Sequence, residues 1–312
     1  MTFMFDGINL CYKVSHVGGG NISVVKYDEN APEQFKFDVE DYISSKKEVI
    51  SYLMNNQVHP RCVGCVEFDK MEVDSNNFKL KSFVLHHWTK CNCNCTYCYT
   101  NGDKKAFNKY KEYKIYPIIK DMFKQGIIKK MGESCLCFGG GEPTILDGFD
   151  KLIDLFVSNG AKNIRINTSG IKYSKAIEKA LKLGVMSIVI STDAGCEQTY
   201  EKVKQVKCYK KVWENIRKYN KAAVDEKLVK VKYILIPGFN DNYEEINKWF
   251  DEVVKNGITA VSLSVEQDWY NTHQPEFTPE IYEQIAYMEK RSKELNLDLE
   301  IYCEALAVLR SK

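Results

Sequence analysis

"SFVLHHWTKCNCNCTYCYT", residues 82–100, sets a short β-rich run, "SFVLHHW" (82–88), directly before a loop that crowds four cysteines into positions 91 to 98. The run has the β-branched and aromatic content of a strand. Similar runs recur downstream: "SCLCFGG" (134–140), "NIRINTS" (163–169), "MSIVIST" (186–192), "VKYILIP" (231–237) and "AVSLSVE" (260–266), six in all. Between them lie amphipathic segments with apolar residues at i, i+3 and i+4. "FDKLIDLFVSNG" (149–160) stops at Asn159-Gly160, "SKAIEKALKLG" (174–184) opens on Ser174 and closes on Gly184, and "YEEINKWFDEVVKNG" (243–257) follows the same grammar. Strands alternating with helices predict an α/β fold of parallel strands joined by crossover helices.

Upstream of residue 80 the alternation stops. "VGGGNISVVKYDENAPEQF" (17–35) is turn-rich, and one helical segment, "DVEDYISSKKEVISYLMNN" (38–56), leads into "HPRCVGC" (59–65). Residues 1–78 therefore read as a small separate module, with 79–312 as the main domain. The module's apolar content is thin for a free-standing core, so a metal or the main domain is expected to stabilise it.

The 312 residues carry 44 Lys and Arg against 42 Asp and Glu, a net charge of +2 that offers no whole-protein field for nucleic acid or an anionic membrane. "KKAFNKYKEYK" (104–114) reads as a solvated amphipathic face rather than an RNA surface. The start of the chain, "MTFMFDGINL", lacks a signal-peptide pattern, and no apolar run reaches the roughly 18 residues of a membrane span, so a cytoplasmic protein is expected. Its 12 cysteines would be kept reduced there, and clustered ones read as metal ligands rather than disulfides.

Cys91, Cys95 and Cys98 follow the spacing CxxxCxxC with Tyr97 before the last, at the carboxyl end of the first strand, where parallel α/β barrels place their chemistry. Three thiolates on one loop can hold three irons of a four-iron cluster and leave the fourth open. Four thiolates, Cys93 included, can equally make a structural zinc site, and the loop alone leaves both readings open. One strand-helix-strand unit later stands "GGGEPT" (139–144), whose glycines admit a ligand close to the backbone and whose Glu142 offers a carboxylate to an ammonium.

With these two motifs in sequence, residues 80 to about 270 resemble the radical S-adenosylmethionine (SAM) enzymes. The resemblance implies a partial parallel (βα)6 TIM-type barrel, with the small cysteine-containing module at its N-terminus. It implies that Cys91, Cys95 and Cys98 hold a 4Fe-4S cluster whose open iron chelates SAM. Tyr97 would pack near the adenine, and Gly140, Gly141 and Glu142 would receive the methionine ammonium. "NTSG" (167–170) and "STDAG" (191–195) end the third and fourth strands like the family's SAM-contacting strand ends, which puts Thr168, Ser169, Ser191 and Asp193 among the expected contacts. Lys204 stands where peptide-modifying subgroups often have Arg, and a Lys contacts the SAM carboxylate as a point charge without the bidentate fork. The expected chemistry is reductive cleavage of SAM to a 5'-deoxyadenosyl radical that abstracts a substrate hydrogen, with an electron donor such as flavodoxin or ferredoxin.

Cys62 and Cys65 in "HPRCVGC", with Cys11 far upstream, form a clasp for an auxiliary iron-sulfur cluster, with zinc as the alternative. This stretch looks like part of a SPASM or twitch module, and tilts the expected substrate toward a peptide or protein side chain. A sugar or other small metabolite is the second reading, a nucleic acid is disfavoured by the charge, and a zinc-stabilised binding or regulatory protein is the rival from another class. Cys135 and Cys137 read as buried small hydrophobes. Glu266 and Asp268, after the sixth strand, are either substrate contacts or a solvated loop.

Overall fold

The computed structural model describes residues 2–6, 11–15, 21–22, 44, 48, 51–52, 54–60, 82–86, 90–98, 115–124, 132–138, 141–273 and 278–310. Cys62, Cys65, Gly140 and the basic stretch 104–114 lie outside them. The chain divides into two compact units. Unit 1 comprises residues 1–90, 105–141 and 146–165, and unit 2 comprises residues 91–104, 142–145 and 166–312.

Unit 1 contains strands β1 (Thr2–Asp6), β2 (Cys11–Ser15), β3 (Asn21–Ile22), β4 (Ser82–His86) and β5 (Gly132–Phe138), and helices α1 (Ile115–Lys124) and α2 (Phe149–Ser158). Strand β6 (Ala161–Thr168) gives its first five residues to unit 1 and its last three to unit 2. The order in unit 1 is β6-β5-β4-β1-β2-β3. β1 runs parallel to β4, with Phe3 opposite Phe83, and antiparallel to β2, so the N-terminal segment extends the order that "SFVLHHW" begins. Its core is built from Leu85, Ile119, Met122, Leu136 and Phe156, and Phe138 meets Phe149 edge-on with ring centroids 5.6 Å apart.

Unit 2 holds β7 (Met186–Ser191), β8 (Val229–Leu235), β9 (Ala260–Val265) and β10 (Asp298–Ile301) in the order β10-β9-β8-β7-β6. The neighbours β7–β8, β8–β9 and β9–β10 are parallel. The helices are α3 (Lys175–Lys182), α4 (Glu197–Lys204), α5 (Tyr209–Ala222), α6 (Tyr243–Lys255), α7 (Gln267–His273), α8 (Pro279–Glu294) and α9 (Cys303–Arg310). Burial alternates along β7 and β8, so Ile188, Ile190, Val231, Tyr233 and Leu235 fill one face. The helices answer with Ile177, Leu181, Val212, Trp213, Trp249 and Phe250, each buried side chain contributing about 1.5–3 kcal/mol of transfer free energy.

Among the described residues the strand order of unit 1 ends at β3 and that of unit 2 at β10, so neither closes on itself, in line with the open, partial barrel expected from the sequence. The helix boundaries also fall where the sequence puts them. Ser174 Oγ accepts from Ile177 N (3.2 Å) and Asn242 Oδ1 from Glu245 N (2.9 Å) at the starts of α3 and α6. Gly184 (φ 68°) takes the left-handed conformation that closes α3.

Candidate active site

The residues from Cys91 to Cys98, together with Glu142, Thr144 and everything after Arg165, belong to unit 2, so the site can be built within that unit alone. The loop is held by main-chain bonds. Asn94 N donates to Lys204 O and Thr96 N to Val203 O, both at 3.0 Å. The last carbonyls of a helix have no partner within it, and at α4 two of them receive the cysteine loop instead. A bond from Cys98 N to Cys95 O (3.2 Å) tightens the turn that carries Tyr97.

Cys91 is exposed, Cys93, Cys95 and Cys98 are half-buried, and none of the four is joined in a disulfide. The Cys93 thiol donates to the sulfurs of Cys91 and Cys95, which pushes its own pKa up. The hydrogen bond from Cys93 pulls Cys95 down to about 6, against the cost of burial and with help from the Lys204 ammonium. Cys91 is lowered by the same donor. Thiolates, not thiols, are what iron and zinc bind, so the loop is electrostatically prepared for metal. Among the described residues no three His, Cys, Asp or Glu side chains converge on a single-ion position. Three of these thiolates could hold three irons of a four-iron cluster, and all four could equally surround one zinc.

Next to the loop lies a buried polar group. Asp193, at the end of β7 with φ 52°, is 0% exposed and Lys204 is 2% exposed. Asp193 Oδ2 forms an ion pair with Lys204 Nζ and accepts from Tyr97 OH (2.5 Å), while Lys204 Nζ also donates to Tyr97 OH (2.6 Å). Asp193 Oδ1 accepts from Ile234 N (2.8 Å). Burial works against the Lys204 charge, but Asp193, and after it Cys95, hold the ammonium above the usual lysine range. Burial, then the charge of Asp193, likewise pushes the Tyr97 hydroxyl well up. As folded, the cation of Lys204 is matched by a carboxylate of its own chain.

Glu142 is 2% exposed and organises the other side of the site. Its Oε1 accepts from Thr144 N (3.1 Å), Thr144 Oγ1 (2.6 Å) and Thr168 Oγ1 (2.7 Å), and its Oε2 accepts from Ser169 N (2.6 Å). Ser169 Oγ donates to Asn92 Oδ1 (3.0 Å), tying the end of β6 to the cysteine loop. Thus Glu142, Thr168, Ser169, Asp193, Lys204 and Tyr97 are brought together around the loop. Ser191 stands half-buried at the end of β7, two residues before Asp193.

Several supporting residues carried no signal in the sequence. Asn240, fully buried, donates through Nδ2 to Asp193 O (2.9 Å) and Ile234 O (2.8 Å) and accepts from Ile236 N (2.7 Å). Glu245 accepts from Gly195 N (2.6 Å) and Cys196 N (3.2 Å), fixing the turn into α4. Asn92 and Thr144 complete the set, and only their adjacency to the cysteines and to Glu142 hinted at them. Of the proposed auxiliary ligands, Cys11 opens β2, while Cys62 and Cys65 lie outside the described residues. Glu266 lies just past β9 and its Oε2 accepts from Trp269 N (2.6 Å), so it acts as an acceptor for the first turn of α7, which contains Asp268.

Comparison with known proteins bears on this arrangement. The family model for the radical SAM superfamily matches residues 85–250, more than half of the chain. A GTP 3',8-cyclase from Clostridium botulinum (strain Hall) is 26% identical over 192 residues, covering 60% of this chain and 57% of that protein. The chain therefore spans about half the length of the curated relatives it matches. Among solved structures, Streptococcus suis SuiB bound to precursor peptide SuiA aligns with a TM-score of 0.55 at 14% identity, covering 94% of this chain and 72% of that one. anSMEcpe with bound AdoMet aligns at 0.52 and 17% identity, covering 70% and 62%. At these identities the likeness to the solved structures concerns the fold. Among the described residues no helix is long and apolar enough to cross a membrane.

Proposed function

From the premise that this chain belongs to the radical SAM superfamily, we propose that it binds a 4Fe-4S cluster through Cys91, Cys95 and Cys98 and uses SAM to abstract a hydrogen from its substrate. The observation that carries this reading is the thiolate-prepared loop fastened to α4 beside the Glu142 and Asp193–Lys204 groups. When bound, the cluster and SAM supply a 5'-deoxyadenosyl radical, and that hard chemistry is the cofactors' own.

The chain's contribution is binding and orientation. An ionised carboxylate has about four acceptor sites, and among the described residues Glu142 Oε2 carries a single donor, Ser169 N, which leaves it capacity for the ammonium of SAM. Lys204 has three donors, of which Asp193 and Tyr97 take two, so the third is assigned to the SAM carboxylate. Ser169 and Ser191 are assigned to polar contacts with SAM. The Thr168 hydroxyl donates to Glu142 Oε1 and accepts from Gly170 N (3.1 Å), and it serves mainly to hold Glu142.

The substrate is a small metabolite or a peptide or protein side chain. The activity named for the curated relatives, on GTP, favours the small metabolite. Cys11, Cys62 and Cys65 are assigned to an auxiliary iron-sulfur cluster, and a flavodoxin or ferredoxin to electron supply.

Anaerobic reconstitution followed by iron and sulfide analysis, then incubation with SAM and a strong reductant, tests the reading. Stoichiometric iron and sulfide with release of 5'-deoxyadenosine is expected. A colourless protein with one tightly held zinc would overturn it. Changing Cys91, Cys95 and Cys98 together to Ala should leave the auxiliary iron in place, and loss of all iron would remove the second cluster. Glu142→Gln should weaken SAM binding about tenfold or more, the worth of one charge-assisted hydrogen bond, as read by equilibrium titration.

A further inference from the structure

Tyr200 lies on α4, one turn before Lys204, and residues four apart share a helix face. Lys204 and its neighbour Val203 accept the cysteine loop through their carbonyls, so the turn of α4 that carries Tyr200 leads directly into the loop's seat. Its side chain is 0% exposed, and among the described residues its hydroxyl has no hydrogen-bond partner. A buried hydroxyl left unpaired is costly, and native folds leave few. The ring is pinned: it meets Tyr209 edge-on at 5.6 Å, and Tyr209 OH in turn donates to Gly195 O (2.8 Å). Burial first, then the nearby sulfurs of Cys93, Cys208 and Cys95 and the charge of Asp193, push the Tyr200 hydroxyl up, so it keeps its proton and remains a donor.

We propose that Tyr200 is a positioning residue for the cluster: once the cluster is seated, its hydroxyl donates a hydrogen bond to a sulfur in the Cys93–Cys95 stretch and raises the reduction potential. Reduction adds negative charge to the cluster and its sulfurs, and a donor aimed at them stabilises the reduced form. The buried hydroxyl, unpaired among the described residues, would then find its acceptor in such a sulfur. This inference rests on the reading that the loop holds a cluster.

The test is Tyr200→Phe, which deletes the hydroxyl and keeps the ring. In the cluster-free protein the variant should unfold at the same denaturant midpoint as wild type or a higher one, because a group without a partner has been removed. After anaerobic reconstitution it should carry the same iron per chain, yet titrate at a more negative midpoint potential by electron paramagnetic resonance. An unchanged potential at equal iron content overturns the proposal. So does a cluster-free variant less stable than wild type, which would show that the hydroxyl already has a partner within the chain. Cys208→Ala serves as a second variant and should leave the potential where it is; a shift equal to that of Tyr200→Phe assigns the hydroxyl to Cys208 and overturns the proposal. Failure of the underlying cluster reading looks different, since wild type and variant alike would then take up no iron and sulfide.

Discussion

Cys95 carries negative charge near neutrality because Cys93 donates to it and Lys204 stands close. Its folded pKa is depressed, so its contribution to stability is present above the unfolded value of about 8.5 and is lost as pH falls through about 6. In cluster-free protein, iodoacetamide labelling of Cys95 followed by mass spectrometry should proceed at pH 7 and slow as pH drops through about 6. Labelling that stays negligible until pH 8 would contradict the charge assignment. Lys204 has the opposite sign: its folded pKa is raised, so its contribution is present below the unfolded value of about 10.4 and disappears as pH climbs through the folded value. Lys204→Met leaves Asp193 buried without its cation and should destabilise the fold by about 3–5 kcal/mol in urea unfolding at neutral pH. The difference from wild type should shrink above pH 11. The cysteines, Glu142 and Asp193 were legible in the sequence because their chemistry is local to short motifs. Asn240 and Glu245 were not, since their partners are backbone groups 47 and 50 positions away.

At the level of elements, strands and caps were readable because period-two apolar runs and Ser, Asn and Gly punctuation act within a few residues. Ser174 and Gly184 bound α3 as expected. The stretch after β9 was harder. "SVEQDWY" gives no apolar periodicity, yet Glu266 accepts from Trp269 N and the chain turns at once into α7. The contribution of β1 was also hidden, because pairing with β4 joins positions 80 residues apart and leaves no local trace. The β7–α4 turn depends on a close approach: a Cβ on Gly195 would stand 2.6 Å from Trp249 N, against the backbone of α6. Gly195→Ala should therefore cost about 1–3 kcal/mol through overpacking. Because this turn follows Asp193, the variant should also lower SAM affinity, and normal stability with normal affinity would show that the turn has room to move.

For the whole molecule, the α/β class and its parallel strands could be read from alternation alone, whereas the division into units could not. It depends on contacts that return residues 105–141 and 146–165 to the N-terminal segment while 91–104 and 142–145 go elsewhere. Cluster loading should raise the thermal midpoint by several degrees and chelation should reverse it, because a group that binds only the folded loop draws the equilibrium toward it. No change on loading would mean that the loop is not where metal binds. The loop's seat on α4 has a further consequence. Its two fixings at Asn94 and Thr96 come from amide protons that every residue except proline possesses. The side chains at those spacer positions are therefore free to diversify, toward whatever substrate or redox partner a lineage adopts, without moving the cysteines out of register; proline alone is barred there.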